Sequence, residues 1–252
     1  MAATALARLD VARQELSAQT VRGQGGRVAL ERFSDRLDAL LQELCAEAPR
    51  PSCDAAVLAL GGYGRRHLCL HSDLDLLVLF DGAIGARDEQ FLRGVLHPLW
   101  DLGLVVGHQV REELSRLDTN DPKFLLALAD ARAVAGNRAL GDHLTAIIET
   151  AEARAFMVQS LWRLIDERYA AFNDTLYQLE PDVKDAPGAL RDLTGLRTIA
   201  RLTDPALLDQ SPADRVCLDE AVSGGGGAAG AGLRTCLSVN RRADPLMFPI
   251  VP

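Results

Sequence analysis

The chain has 252 residues, 48% of them hydrophobic, and a formal net charge of −8. That length suits one large domain or two small ones with an ample core, and the acidic balance argues against a protein that grips nucleic acid through phosphates over a broad surface. Five cysteines (Cys45, Cys53, Cys69, Cys217, Cys236) are scattered without any Cys-x-x-Cys spacing, which reads as reduced thiols in a cytoplasm and not as a disulfide framework or zinc site.

The first residues carry Arg8, Asp10 and Arg13 among their apolar positions, unlike a secretory signal. No apolar run approaches the length of a membrane span, so a soluble, cytoplasmic protein with no membrane partner is expected. Residues 2 to 19 and 26 to 48 are predicted helices. In the second, Val28, Leu30, Phe33, Leu37, Leu40, Leu41 and Leu44 recur at helical spacing. Pro49 and Pro51 end it, because proline cannot continue a helix and restricts the residue before it.

The most informative stretch follows, Val57 to Phe80: VLALGGYGRRHLCLHSDLDLLVLF. Val57 to Leu60, bounded by Gly61-Gly62, is too short for a globular helix and reads as a buried strand. Leu74 to Phe80 reads as a second strand covered on both faces. Asp73 and Asp75 are two apart, and in a strand that spacing puts both carboxylates on one face. Paired carboxylates repel unless a cation lies between them, and oxygen-only ligation suits Mg²⁺ shared with substrate phosphates. Gly61 and Gly62 lack a Cβ and can bring backbone N–H groups close to a phosphate, with Arg65 and Arg66 following. A Gly-Gly turn alone is usually only a turn, and Asp-x-Asp alone a solvated strand end. Their combination, with ten residues between Gly62 and Asp73, points to a nucleotide site.

This stretch resembles the signature of the DNA polymerase β-type nucleotidyltransferase superfamily, Gly-Gly followed by Asp-apolar-Asp. More narrowly, GGYGRRHLCLHSDLDLL resembles the N-terminal transferase domain of bacterial PII uridylyltransferases, which attach UMP to a tyrosine of the PII signal protein. The resemblance implies an α+β fold: a mixed sheet of the polymerase β type with flanking helices, followed by an all-α domain.

After Asp81-Gly82, a predicted turn, Asp88 to Leu102 reads as a helix that Gly103 can cap, and Leu104 to Val110 as a third apolar strand. In the family a later strand commonly supplies a third acidic residue, and the face-matched positions here are Val105 and Gly107, neither of them a ligand. Asp101, Glu112, Glu113 and Asp118 lie nearby in sequence. Within the strand His108 reads more readily as a hydrogen-bonded structural imidazole than as a base. Trp100 reads as core more readily than as a platform for stacking a base.

From Asp121 onward the chain reads as nearly all helix. Pro122 sits at a first helical position, and Leu140 to Tyr169 is helical with a break near Ala151. A charged loop, Glu180 to Asp185, then leads through Pro187-Gly188 into an amphipathic helix carrying Leu190, Leu193, Leu196 and Ile199. Such a loop is usually only a solvated connection. The order LEPDVKDAPGALRDL nevertheless resembles a segment of the helical domain in PII uridylyltransferases that borders the nucleotide cleft, which implies phosphate contacts for Lys184 and Arg191.

The chain contains no His-Asp dipeptide, the metal motif of the family's UMP-removing domain. Ser223 to Gly232 (SGGGGAAGAG) is low-complexity sequence that cannot bury a core. The expected organisation is N-terminal helices (1–50), a nucleotidyltransferase core (51–120), a helical domain (121–210) and a Gly-rich tail (211–252), truncated before the family's HD and sensing domains. The expected function is transfer of UMP from UTP, or a nucleotide from another nucleoside triphosphate, to a PII-type protein. In this reading Asp73 and Asp75 hold Mg²⁺, Gly61, Gly62 and Ser72 surround the triphosphate, and Arg65 neutralises it. The alternatives are a catalytically impaired nucleotide-binding or interaction remnant, and a transferase acting on a small molecule or another protein.

Overall fold

The structure is a computed structural model and describes residues 2–22, 26–112, 121–172, 182 and 184–203. It divides into two compact units at Met157/Val158. The first holds α1 (Ala2–Val21), α2 (Arg27–Glu47), β1 (Ala55–Ala59), the short turn α3 (Gly61–Gly64), β2 (Leu74–Phe80), α4 (Ala86–Asp101), β3 (Val106–Glu112), α5 (Pro122–Leu128), β4 (Arg132–Gly136), α6 (Arg138–Ile148) and the start of α7 (Ala151–Ala171). The second holds the rest of α7 and α8 (Leu190–Thr203).

One four-stranded mixed sheet, in the order β3-β2-β1-β4, organises the first unit. β1 runs antiparallel to both neighbours, whereas β2 and β3 run parallel, as their connection through α4 requires. Every residue of β1 is buried, and in β2 every residue but Asp75. Unbroken apolar runs are what strands covered on both faces need. The helices α2 and α6 pack on the sheet, and α2 also packs on α4, so Leu37, Leu41, Leu58, Leu77, Val95 and Leu99 form a core at most 1% exposed. This is the α+β architecture expected.

β2 falls where the sequence places it, and β1 and β3 are offset by about two residues. Asp121 caps α5, its carboxylate accepting from the Lys123 and Phe124 N–H groups. The break near Ala151 is the gap between α6 and α7. Three readings are corrected. β4 lies in a stretch read as helical: RAVAG is short and alanine-rich, and tertiary pairing with β1, not intrinsic propensity, makes it a strand. Val28 is 58% exposed, so the buried face of α2 starts at Ala29. Trp100 is 42% exposed and not core: it stands beside the edge strand β3, its ring 5.3 Å from His97 and 5.8 Å from His108. His108 itself is exposed, because β3 has a neighbour on one side only among the described residues.

In the second unit Asp192 is fully buried and accepts from the Arg168 guanidinium, from Tyr169 O–H at 2.5 Å and from Gly188 N–H at 2.6 Å. A buried carboxylate is tolerated only with such partners. Here they fasten the turn before α8 to α7. Among the described residues no helix is long and apolar enough to cross a membrane.

Candidate active site

The site forms where β1 ends and β2 begins. Leu60 N–H donates to Asp75 C=O at 3.0 Å, which brings the residue after β1 against the first carboxylate within β2. Gly61 then turns the chain with φ +52, a left-handed conformation that side chains resist. A Cβ built on Gly61 would lie 3.5 Å from Asp75 Oδ2, so the glycine backbone and the carboxylate share one small space. The bonds of the α3 turn begin later, with Gly64 N–H to Leu60 C=O at 2.9 Å and Arg65 N–H to Gly61 C=O at 3.1 Å.

Exposure alternates through the entry of β2: Asp73 exposed, Leu74 buried, Asp75 exposed. That pattern puts both carboxylates on one face. The parallel register pairs Asp75 with Gly107, and Leu74 N–H donates to Val105 C=O at 2.8 Å. Val105 and Gly107 are likewise exposed, with Val106 between them less so. Asp73, Asp75, Val105 and Gly107 thus share one patch, of which only the aspartates can ligate. Ser72 is exposed beside them, its N–H donating to Cys69 C=O at 3.1 Å.

The neighbouring arginines are engaged elsewhere. Arg65 is ion-paired with Asp130, and Arg66 with Asp35. Lys184 and Arg191 belong to the second unit. There Arg191 pairs with Asp185, and Lys184 is exposed, its N–H held by Asp182 Oδ1 at 2.8 Å. Glu113 and Asp118 lie outside the described residues. Sequence reasoning missed the groups that hold the turn from behind, namely Asp38 on α2, Asp130 at the end of α5 and Arg132 on β4. The only signal was the pair of charges flanking Ala131, which makes sense once RAVAG is placed next to β1.

Two carboxylates fit Mg²⁺ in the way that ion is ordinarily held, by one or two carboxylates together with substrate phosphates. They do not fit a closed protein cage: among the described residues no group of three or more His, Cys, Asp or Glu side chains could hold a metal. Asp73 and Asp75 are the residues that would hold the ion.

Comparison with known proteins shows what the chain is similar to. A family profile described as GlnD PII-uridylyltransferase matches residues 156–225. The bifunctional uridylyltransferase/uridylyl-removing enzyme of Bordetella parapertussis is 38% identical over 167 residues, 66% of this chain and 19% of that protein. The enzyme of the same name from Nitrosospira multiformis is 35% identical over 202 residues, 75% of this chain and 22% of that protein. The one from Methylococcus capsulatus is 36% identical over 174 residues, 65% and 20% respectively. The chain therefore spans about a fifth of the length of these relatives. By these matches the chain is similar to bifunctional uridylyltransferase/uridylyl-removing enzymes over about two thirds of its own length.

Proposed function

We propose that the chain is a metal-dependent nucleotidyltransferase that moves UMP from UTP to a tyrosine of a PII-type signal protein. One observation carries the reading: Asp73 and Asp75 share an exposed face at the start of β2, with the Gly61 backbone against the Asp75 carboxylate. UTP and the PII acceptor rest on the relatives' name and on the family described for residues 156–225. In the reaction an acceptor hydroxyl attacks the α-phosphate in line, a new O–P bond forms as the anhydride bond between the α-phosphorus and the bridging oxygen breaks, pyrophosphate leaves, and the hydroxyl proton passes to solvent. Mg²⁺, when bound, neutralises charge that builds on the phosphate oxygens. Asp73 and Asp75 would hold that ion and so orient a triphosphate bound to it, and the Gly61-Gly62 backbone, bare of Cβ, allows close approach. Arg65 and Ser72 are further candidates for contact with the nucleotide. Positioning and charge stabilisation supply most of the rate in such reactions.

A second reading is favoured by Val105 and Gly107, which leave the face-matched positions without an acid: a nucleotide-binding module that no longer transfers. Incubation with labelled UTP, Mg²⁺ and a PII protein separates the two. Label on the PII protein, lost in Asp73→Asn, supports the transferase. Tight UTP binding with no transfer establishes the second reading instead.

A further inference from the structure

The turn that meets the triphosphate in this reading is not held by its own few hydrogen bonds. A four-residue helical turn built of Gly-Gly-Tyr-Gly has high conformational freedom and a poor intrinsic reason to keep one shape. Its support comes from behind, from elements distant in sequence. Arg132, opposite Ala59 in the β1–β4 register, donates from Nε to Gly64 C=O at 3.2 Å and from Nη2 to Tyr63 C=O at 3.4 Å. The same guanidinium donates to both oxygens of Asp38, at 2.5 and 3.0 Å. Asp38 also accepts from the Tyr63 phenol at 2.6 Å. The Tyr63 ring is 1% exposed, and the guanidinium stacks over it at 5.5 Å. Burial, followed by the Asp38 carboxylate, pushes the Tyr63 phenol well above its ordinary range, so it stays a donor.

Asp130 closes the other side. Its backbone carbonyl lies so near Gly64 that a Cβ there would be 2.0 Å away, and its carboxylate pairs with Arg65. The Arg132–Asp38 pair is 28% and 16% exposed, shielded enough for its charge-assisted bonds to count.

We infer that Arg132 is a positioning residue for the nucleotide: its guanidinium, fixed by Asp38, holds the Tyr63 and Gly64 carbonyls and so sets the geometry of the Gly61–Gly62 backbone that meets the triphosphate. The inference rests on the nucleotide reading for what the turn holds, and on the geometry alone for the clamp. The bonds Arg132 makes run to Asp38 and to the Tyr63 and Gly64 carbonyls, so its effect passes through the turn. A lysine there keeps the charge and one bond to Asp38 but cannot bridge two carbonyls and a carboxylate together, because it lacks the planar fork.

The test uses the full chain and two variants, Arg132→Lys and Asp38→Asn, with Mg·UTP affinity, thermal unfolding, and amide hydrogen exchange over residues 60–68 measured for each. The expected result is a folded Arg132→Lys protein with roughly tenfold faster exchange in that segment and roughly tenfold weaker Mg·UTP binding, the scale of one lost charge-assisted bond. Asp38→Asn should show the same pattern more weakly, since the amide still accepts from the phenol. Unchanged exchange and unchanged affinity in folded Arg132→Lys overturn the inference. If the wild-type protein itself does not bind Mg·UTP, the nucleotide reading falls, and the clamp is then decided by the exchange rates alone.

Discussion

Asp75 and Gly107 stand side by side in the parallel register of β2 and β3, so close that a Cβ on Gly107 would lie 2.7 Å from Asp75 Oδ1. The glycine leaves room for the carboxylate to lie flat across the patch, toward Gly61. Because the group it would strike is the end of a side chain, Gly107→Ala can be relieved by turning Asp75 aside. The strand should survive, with stability within about 0.5 kcal/mol of wild type, while nucleotide transfer falls tenfold to a hundredfold, the scale of an ångström-sized misplacement. Urea unfolding and a transfer assay on the same preparation check both halves. Full transfer in the alanine variant would count against Asp75 as the group that holds the ion.

The same crowding separates the two candidate positions for a third acid. Position 107 cannot take one without displacing Asp75, whereas Val105 is 67% exposed beside Asp73 and Asp75. Val105→Asp loses little packing and adds a charge to the patch. The expected result is Mn²⁺ or Mg²⁺ affinity about tenfold tighter, in line with tuning by ligand charge count. Without metal, added like-charge repulsion should lower stability slightly. Calorimetric metal titration measures the first effect, and Val105→Asn is the control with a similar shape and no charge. Equal metal affinity in both variants would show that position 105 does not face the ion.

How much of this was legible beforehand depended on how local the cause is. The Asp73/Asp75 pair and the strand from Leu74 to Phe80 follow from alternation and an apolar run, so sequence locates them. The neighbours at Val105 and Gly107 emerged from the family resemblance of the strand that carries them, and the parallel pairing of β2 with β3 sets them beside the aspartates. What stayed hidden is set by long-range pairing. Arg132 lies 68 residues from Gly64, whose carbonyl it bonds, and nothing in RAVAG announces a partner for β1. Arg65 shows the same limit: its charge is plain in the sequence, but the carboxylate of Asp130 that holds it is not.

The glycines of the turn should respond differently to one added methyl group. A Cβ on Gly64 would meet the Asp130 carbonyl oxygen at 2.0 Å and that of Ala59 at 2.9 Å. Both belong to backbone and cannot rotate aside, so Gly64→Ala should cost about 3 kcal/mol or more. On Gly62 the nearest atom is the His67 carbonyl oxygen at 3.7 Å, ordinary contact, and alanine favours a helical turn. Gly62→Ala should therefore be as stable as wild type but bind Mg·UTP more weakly, since the methyl group intrudes where phosphates approach. Denaturation midpoints and nucleotide titration decide. A stable Gly62→Ala protein with wild-type affinity would move the triphosphate away from this turn.

A last expectation concerns Asp88, in the first turn of α4 and fully buried. Its carboxylate accepts from Ser52 N–H at 2.8 Å, from Ser52 Oγ–H at 2.5 Å and from Gly85 N–H at 2.9 Å, fastening the chain that enters β1 to the helix that leads to β3. Burial alone would raise its pKa, but the bonds from Ser52 and Gly85 outweigh it, and the group titrates below the ordinary carboxylate range. A carboxylate with a depressed folded pKa stabilises the fold at every pH above its unfolded value of about 3.9, and that contribution is lost as pH falls through the lower folded value. Asp88→Asn turns an amide N–H₂ toward groups that are themselves donors and should cost about 1–3 kcal/mol at pH 7. The gap between variant and wild type should stay constant from pH 7 to about 5 and shrink below about 4. Urea unfolding across that range reads it directly, and a gap that persists undiminished at pH 2 would assign the loss to packing, not to the ionised carboxylate.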